Sequence, residues 1–376
     1  MKLLHTADWQ IGKRFGQFEA DEAALLAEAR FEVVARLANL AQAEGVDLVL
    51  VAGDVFDAQG VADRTILRMF QAMSGFAGPW VMIPGNHDAA LAESVWSRAA
   101  RLGAVPSNVH ICLKAEPLIL QQPTVAILPA PLTQRHAYTD LTDWFDTAET
   151  PRGLPRIGLA HGSVQGILAN DGDATNPIAA GRAVSAGLDY LALGDWHGTR
   201  QIDAHTWYSG APETDRFRNN ASGQALLIEI AAAGSVPNVQ AVPVGRYRWL
   251  TIERALNVAS DLELLMADLA PIGPADVVQL EVTGAVNLGA HLALNRAIAA
   301  AQARARSLVA NLEGLRLQPT SEDILALRAD GYLGEAIDEL RREEDGGNAE
   351  LVRDALGILA GILEQTRGGD DSGSQT

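Results

Sequence analysis

The fold is decided by residues 47–57, which read DLVLVAGDVFD. Five consecutive apolar residues, 48–52, have the length and composition of a fully buried β-strand. Gly53 then permits a sharp turn of the backbone, and Asp54 and Asp57 follow it. Because ligands of α/β proteins bind beyond the carboxyl ends of the strands, carboxylates at this position indicate a functional site.

Four more clusters of polar residues follow predicted strands within the first 200 residues. With the first, the set is Asp8-Trp9-Gln10, Gly53-Asp54-Val55-Phe56-Asp57, Gly85-Asn86-His87-Asp88, His161-Gly162-Ser163 and Gly194-Asp195-Trp196-His197. The carboxyl ends of strands in an open sheet meet at one crevice, so we expect these side chains to converge. Oxygen and imidazole donors together suit Mn²⁺, Fe, Zn²⁺ or a neighbouring pair of such ions.

Each cluster alone also has a structural explanation. An aspartate after a strand, such as Asp8 or Asp54, is commonly a helix N-cap. Residues 86–88 fit an ordinary turn, and a single histidine such as His161 is more often a hydrogen-bonded core residue than a ligand. Five such clusters, each placed directly after a strand, favour a shared metal site.

Residues 1–245 alternate short apolar runs with amphipathic stretches, which is typical of an α/β layered domain. The predicted strands are residues 2–7, 47–52, 80–83, 124–128, 156–160, 190–193 and 225–230. The predicted helices are residues 22–44 and 63–73.

The remaining residues form two further blocks. Residues 246–319 predict a small α+β domain, because strand patterns (247–255, 277–283, 310–317) alternate with helix patterns (260–269, 289–307). Residues 320–366 are predicted to be helical, with a wide apolar face over 349–365 suited to docking. Residues 367–376 are expected to be a short disordered tail.

The composition is that of a globular enzyme, since 48% of the 376 residues are hydrophobic and 20% are charged. The net charge of −18 argues against binding nucleic acid or anionic membranes, because both favour a basic surface. The charge is unevenly spread, however. Residues 1–245 hold 17 basic and 26 acidic side chains, whereas residues 320–376 hold 5 and 14.

Three observations predict a cytoplasmic protein. The single cysteine, Cys112, excludes an internal disulfide, which is typical of a reducing compartment. His5 and Asp8 interrupt the start of the chain where the apolar core of a secretory signal would continue. No run of about 18 apolar residues is present, so we expect no membrane span.

The motifs resemble those of the calcineurin-like metallophosphoesterases, whose pattern is D-x-H, GDxxD, GNHD, a later H and GHxH. Within that superfamily the chain is most similar to the SbcD-type DNA repair exonucleases. The segments that carry this similarity occur in order from residue 5 to about residue 212 and are HTADWQIGK, GDVFD, IPGNHD, AHGS, LALGDWHG and YSGAP. The resemblance implies an α/β fold with a layered metallophosphoesterase sandwich domain, followed by a small α+β capping domain and C-terminal helices. For the capping domain and the helices, the resemblance is in the order of predicted elements only.

Carried over position by position, the resemblance implies two divalent metal ions that share Asp54. The other ligands would be Asp8, Gln10 and His197 for the first ion, and Asn86, His161 and Asp195 for the second. His87 would stabilise charge on the phosphate and protonate the leaving oxygen, with Asp88 orienting it. Mn²⁺ is the expected metal, with Mg²⁺, Fe or Zn²⁺ as alternatives. Two cations about 3.5–4 Å apart clamp the phosphate oxygens and acidify a bound water.

Two positions depart from the family's pattern. Gln10 stands where a histidine ligand is expected, and since a neutral amide oxygen is a weak ligand, we expect the first ion to bind loosely. Asp195 stands where the first histidine of GHxH is expected. Its carboxylate favours Mn²⁺ or Mg²⁺ at the second site.

Five residues around the predicted mouth of the site are candidates for substrate contact; they are Asp57, Arg64, Arg200, Arg216 and Arg218. The last three suit contacts with DNA phosphates. A solvated arginine cluster is the alternative, and Asp57 fits a structural loop residue equally well. His5 lies within a predicted buried strand, where a core histidine is expected.

The leading hypothesis is a metal-dependent phosphodiesterase that hydrolyses DNA as the nuclease subunit of a repair complex. The resemblance implies a coiled-coil ATPase partner, bound by the C-terminal helices, and a homodimer. Two alternatives stay open. The acidic charge favours a phosphoesterase for small molecules such as cyclic nucleotides, and the residues at positions 10 and 195 suggest a structural subunit whose site only holds metal.

Overall fold

The computed structural model describes residues 1–167, 175–218, 220–318 and 320, together with residues 339, 355 and 358. The chain divides into two compact units, Met1–Arg248 and Trp249–Thr376. The helices predicted within residues 320–366 lie outside the described residues, apart from those few positions, and so does the tail predicted at 367–376.

The first unit alternates strands with helices. Its described strands are β1 (Lys2–Thr6), β2 (Leu48–Ala52), β3 (Trp80–Ile83), β4 (Val109–Ile111), β5 (Leu118–Gln121), β6 (Thr124–Ala130), β7 (Arg156–His161), β8 (Ser163–Val164), β9 (Pro177–Ile178), β10 (Tyr190–Gly194), β11 (Arg200–Gln201), β12 (Thr206–Tyr208), β13 (Gln224–Glu229) and β14 (Asn238–Pro243). Its described helices are α1 (Ala20–Ala43), α2 (Asp63–Ala72), α3 (Val95–Arg101) and α4 (Arg182–Ser185). The elements predicted for this part of the chain are all present, with ends within two residues of those expected.

Two six-stranded sheets form the body of this unit. Their strand orders are β14-β13-β1-β2-β3-β4 and β11-β12-β10-β7-β6-β5. Strands β1 to β4 pair in parallel in the first sheet, as do β6, β7, β10 and β12 in the second. Parallel strands with their connecting helices are the arrangement that the alternating sequence pattern predicts.

The sheets pack face to face, with helices on the outer side of the first. Because successive side chains of a strand point to opposite faces, the neighbours Leu3 and Leu4 enter different cores. Leu3 packs between the sheets with Ile157, whereas Leu4 lies in a core with Val33 of α1. The predicted α/β layered sandwich is therefore confirmed.

The second unit contains β15 (Arg248–Leu256) except for its first residue, together with α5 (Ala259–Leu269), β16 (Asp276–Val286), α6 (Leu288–Gln302) and β17 (Ser307–Leu317). They form a three-stranded sheet in the order β15-β16-β17, with β16 and β17 parallel. Its core includes Leu265 and Leu294 from the two helices. The predicted helix 289–307 is too long at its end, since the chain turns after Ala303 and β17 begins at Ser307.

None of the helices in the described part of the chain combines the length and the hydropathy of a membrane-spanning helix.

Candidate metal centre

The polar clusters meet where strands from both sheets end. Asp8 follows β1, Asp54 follows β2 and His87 follows β3, all in the first sheet. His161 is the last residue of β7, and Asp195 comes directly after β10, in the second sheet. The clusters meet at the carboxyl ends of strands, as the sequence pattern predicts, but these strands belong to two sheets and not to one open sheet.

The loops that carry these residues have an unusual backbone. Asp8, Gln10, Asp54 and Asp195 have φ angles of 55°, 46°, 52° and 99°, which non-glycine residues rarely adopt. The loops after β1 and β2 are joined, because the Asp8 amide donates to the Gly53 carbonyl at 3.0 Å and the Gln10 amide to the Asp54 carbonyl at 2.9 Å. The aspartates therefore occupy joined turns and do not cap a helix. Such strained turns are typical of functional sites.

Asp8, Asp54 and His161 form a cluster suited to a metal ion. All three are buried, and each offers one ligand atom within 4.8 Å of the others. His161 Nε2 lies 3.6 Å from Asp54 Oδ1 and 3.7 Å from Asp195 Oδ1. Charged oxygens and an imidazole nitrogen at these separations are a donor set for Mn²⁺ or a similar cation.

Two buried polar atoms in this region have no hydrogen-bond partner among the described residues. His161 Nδ1 lies 2.8 Å from the Ala52 carbonyl, and because a carbonyl only accepts, Nδ1 carries the proton. In the neutral ring, His161 Nε2 presents a lone pair, and neither it nor Asn86 Oδ1 has a hydrogen-bond partner within the described residues. Since buried acceptors are nearly always satisfied, these two atoms fit ligands of a cation.

The crowded carboxylates shift the protonation of the cluster. Burial alone would lower the pKa of His161, but the charges of Asp54, Asp8 and Asp195 outweigh it and raise this pKa to about 9. Burial raises the pKa of Asp8 to about 6 and also raises that of Asp195. A cation bound among these groups displaces their protons, so metal affinity increases with pH.

His87 is held at the edge of the cluster, where a substrate can reach it. Its Nδ1 lies 2.8 Å from the Asp57 carbonyl, and its amide donates to Asp54 Oδ1 at 2.9 Å. Nδ1 therefore carries a proton, and Nε2 lies 4.0 Å from Asp54 Oδ2. The side chain is 33% exposed. His87 thus offers a proton-transfer atom beside the candidate metal ligands.

Asp88 does not orient His87, contrary to the expectation from the sequence. Its fully buried carboxylate accepts the backbone amides of Gly85 at 2.6 Å and Phe56 at 3.1 Å. Burial, together with the charge of Asp54, raises the pKa of Asp88 to about 7. Asp88 thus joins the loops after β2 and β3, and the carbonyl of Asp57 orients His87.

Gln10 also differs from expectation. Its Nε2 lies 3.4 Å from Asp54 Oδ2 and 3.3 Å from His197 Nε2, whereas its Oε1 accepts from Lys13 Nζ at 3.4 Å. This orientation follows from chemistry, because an ammonium only donates and a carboxylate only accepts. Gln10 therefore turns an amide NH₂ group toward the centre instead of the carbonyl oxygen that a metal ligand requires.

Sequence reasoning missed a charged group around Asp215. This carboxylate is 1% exposed and lies 3.1 Å from His197 Nδ1, 3.4 Å from Arg30 Nη2 and 3.2 Å from Arg216 Nε, with Lys13 also paired to it. Burial alone would raise the pKa of Asp215, but the contacts with His197, Arg30 and Lys13 hold it well below its usual range. No motif marks this carboxylate, since an aspartate beside arginines is typical of a surface ion pair.

The candidate substrate residues lie in different environments. Arg216 reaches the centre, with Nη2 at 2.9 Å and 3.1 Å from the two ring nitrogens of His197. Arg64, Arg200 and Arg218 are exposed, and Arg200 lies over the ring of Trp196. Asp57 contributes its backbone carbonyl, as described above.

His5 is a core residue, as its position in a buried strand predicts. It is fully buried, and its Nδ1 lies 2.9 Å from the Tyr190 hydroxyl. Burial lowers the pKa of His5 to about 3, so the ring is neutral.

Gly194 is required for the close approach of β10 to the cluster, which gives a stability prediction. A Cβ here would lie 2.0 Å from the Ala52 carbonyl oxygen and 2.8 Å from His161 Nδ1. Gly194→Ala is therefore expected to lower the free energy of unfolding by about 2–3 kcal/mol, measured by urea denaturation. Gly181→Ala is the matched control, because no atom lies within 4 Å of its added Cβ. Equal stability of the two variants would contradict the prediction.

A carboxylate and imidazole cluster at the strand ends of an α/β sandwich is the site of a metal-dependent hydrolase. The sequence profile of the calcineurin-like phosphoesterases matches residues 1–223, more than half of the chain, which therefore belongs to that family. It is a hydrolytic enzyme, a metallophosphoesterase, and the family implies divalent metal ions.

The chain is also similar to curated proteins named as the D subunit of the nuclease SbcCD. It is 26% identical over 321 residues to that of Bacillus subtilis strain 168, covering 71% of this chain and 80% of the relative. It is 27% identical over 309 residues to that of Escherichia coli K12, covering 72% of each chain. Among solved structures, the protein TT1561 of Thermus thermophilus matches with a TM-score of 0.41 and 13% identity, covering 65% of this chain and 98% of that one.

Proposed function

We propose that this enzyme hydrolyses phosphodiester bonds of DNA. The observation that carries the proposal is the buried cluster of Asp8, Asp54 and His161, with the accessible Nε2 of His87 4.0 Å from Asp54 Oδ2. A cation held by this cluster would lie beside the proton donor, an arrangement that suits phosphodiester hydrolysis and supports the proposal. Relatives named as nuclease subunits, aligned over 71–72% of the chain, support DNA as the substrate.

The chain's own residues have distinct tasks in this reaction. Asp54 and His161 would hold a divalent cation, which when bound would neutralise the phosphate and supply a nucleophile at neutral pH. The Asp57 carbonyl keeps Nδ1 of His87 protonated. His87 Nε2 gives its proton to the leaving oxygen. The ring is then neutral, and its Nδ1–H still donates to the backbone carbonyl of Asp57. The alkoxide thus leaves as an alcohol.

The donor atoms support a proposal for the metal, and the relatives support one for the assembly. We propose Mn²⁺ as the metal, since oxygen donors predominate around one imidazole, and the family's pattern of two ions stays a prediction at this point. We propose a catalytic domain over 1–245, a capping domain over 246–319 and a helical segment over 320–366 that docks on a coiled-coil ATPase in a cytoplasmic repair complex. The names of the relatives, which are subunits of a nuclease, support an assembly of this kind.

The acidic charge is compatible with DNA as substrate. Residues 320–376, with 5 basic and 14 acidic side chains, carry half of the net charge of −18. Arg216 contacts His197 of the centre, and Arg200 and Arg218 are close to it in sequence. We propose that these three arginines contact DNA phosphates, with Arg64 on α2 as a further candidate.

The test uses the full-length protein with Mn²⁺, a chromogenic aryl phosphodiester and linear DNA. We expect DNA to be degraded and to compete with the aryl substrate. Because phosphate contacts release counterions, raising salt from about 50 to about 200 mM is expected to weaken this competition about tenfold. Turnover of the aryl substrate or of a cyclic nucleotide that DNA never inhibits, with intact DNA, would refute the proposal in favour of a small-molecule phosphoesterase.

A further inference from the structure

The candidate ligands of the two expected ions differ in whether their donor atoms already have hydrogen-bond partners within the protein. On one side, within the described residues, His161 Nε2 and Asn86 Oδ1 are buried without a hydrogen-bond partner. On the other side, Gln10 and His197 contact each other and two cationic side chains, Lys13 and Arg216. One half is thus preorganised for a cation, and the other is already satisfied by the protein.

His197 has only one ring nitrogen that could bind a metal, and that atom is engaged. The Asp215 carboxylate accepts only, so His197 Nδ1, 3.1 Å away, carries the proton. The lone pair therefore lies on Nε2. Gln10 Nε2 is an N–H donor within reach of it, at 3.3 Å. Arg216 Nη2 lies 2.9 Å from Nδ1 and 3.1 Å from Nε2, and a position so nearly equidistant from both ring nitrogens lies over the face of the ring. An ion bound to His197 Nε2 would therefore have to displace the Gln10 amide and would lie beside the guanidinium.

Gln10 strengthens this arrangement. Its amide nitrogen has no lone pair to offer a metal, and Lys13 holds its carbonyl oxygen on the far side of the group. Turning the amide over would set its oxygen against the Asp54 carboxylate and its NH₂ against an ammonium. Lys13 in turn is fixed by its ion pair with the buried Asp215.

The side chains around Gln10 and His197 carry a positive charge similar to that of the divalent ion expected there. Among the described side chains, three cations pair with the single carboxylate of Asp215, namely Lys13, Arg30 and Arg216. The group therefore carries two net positive charges, the charge of one divalent ion, close to the acidic ligands Asp8 and Asp54. A second ion would face repulsion from a guanidinium held against its only imidazole ligand.

We infer that this enzyme binds one divalent ion tightly, at Asp54, Asn86 and His161, and that Arg216 and Lys13 supply the positive charge that a second ion provides elsewhere in the family. The part played in catalysis rests on the proposed function: the Arg216 guanidinium would contact a phosphate oxygen on the side opposite the ion. A planar guanidinium suits this task because it pairs with two oxygens at once. The ion count does not depend on the substrate.

The test counts Mn²⁺ by electron paramagnetic resonance on full-length protein stripped with a chelator, in the absence of substrate. Free Mn²⁺ gives a sharp signal that disappears on binding, and two ions bridged by Asp54 would give an exchange-coupled spectrum. We expect one bound equivalent without exchange coupling. Any further equivalent should bind at least about 100-fold more weakly.

The double substitution Gln10→His with Arg216→Ala removes the amide and the guanidinium and restores an imidazole. It is expected to bind two equivalents and to show the coupled spectrum. Arg218→Ala is the control, because it removes an exposed arginine two residues further along the chain and should leave the count at one.

Two equivalents of similar affinity with a coupled spectrum in the wild-type protein would overturn the inference, and so would a folded double variant that still binds one. If the double variant does not fold, the wild-type count decides alone. If the protein binds one ion but cleaves no DNA, the inference on the ion count stands and the proposed function is refuted. If it cleaves DNA and binds two coupled ions, the proposed function stands and the inference on the ion count is refuted.

Discussion

Asp54→Asn is expected to reduce DNA hydrolysis by about 10⁴-fold or more and to abolish tight metal binding. Asp54 is 2% exposed, and its carboxylate belongs to the cluster with Asp8 and His161. An asparagine preserves the side-chain size and can still accept the His87 amide, so the substitution removes mainly the charge. Initial rates of DNA degradation and Mn²⁺ titration measure the two effects.

Asp21→Asn provides the matched control for this prediction. Asp21 is an exposed aspartate in the first turn of α1, and the same chemical change there should leave both activity and metal binding within about twofold of wild type. If the Asp54→Asn variant degraded DNA at the wild-type rate, the cluster would not be the catalytic centre. Retained metal binding would show that the ion lies elsewhere.

His87→Ala is expected to lower DNA hydrolysis by about 10²–10⁴-fold while leaving the number of bound ions unchanged. In the proposed mechanism His87 donates a proton to the leaving oxygen, but it does not belong to the cluster of Asp8, Asp54 and His161. An aryl phosphodiester releases a phenolate that needs little protonation, so its hydrolysis should fall much less. The ratio of the two losses measures the proton-transfer role.

His136→Ala controls for the loss of a histidine, because His136 is exposed and lies outside the centre. It should behave as wild type toward both substrates. If His87→Ala slows both substrates equally, His87 stabilises charge or position instead of transferring a proton. Loss of metal from His87→Ala would make it a ligand and refute the assignment.

The layered fold could be predicted because its signals are local. The central strands are short, largely apolar runs whose neighbours include glycine, proline or aspartate, as in residues 47–57, and runs of this length and composition favour a buried strand. Short or edge strands such as β4, β11 and β12 lack this signal. At three residues or fewer, their pairing with a neighbour defines them, and that pairing is a tertiary property.

The centre was predictable in its ligand types but not in its contacts. Position after a strand identified Asp54 and His161, yet the orientation of Gln10 depends on Lys13, which is fixed by Asp215, 202 residues away. Sequence spacing carries no information about such a contact. Asp88 illustrates the same limit, because its neighbour His87 is oriented by the backbone carbonyl of Asp57, and backbone carbonyls leave no trace in a motif.

The pairing of β1 with β13 has a consequence for synthesis of the chain on the ribosome. β1 lies between β2 and β13, with Lys2 opposite Glu229, so β1 is paired on one side by a strand made more than 220 residues later. At about 5–20 residues per second, the β1 segment waits on the order of 10–45 s for its partner. β1 is therefore an edge strand of the first sheet, paired only with β2, until β13 has been made.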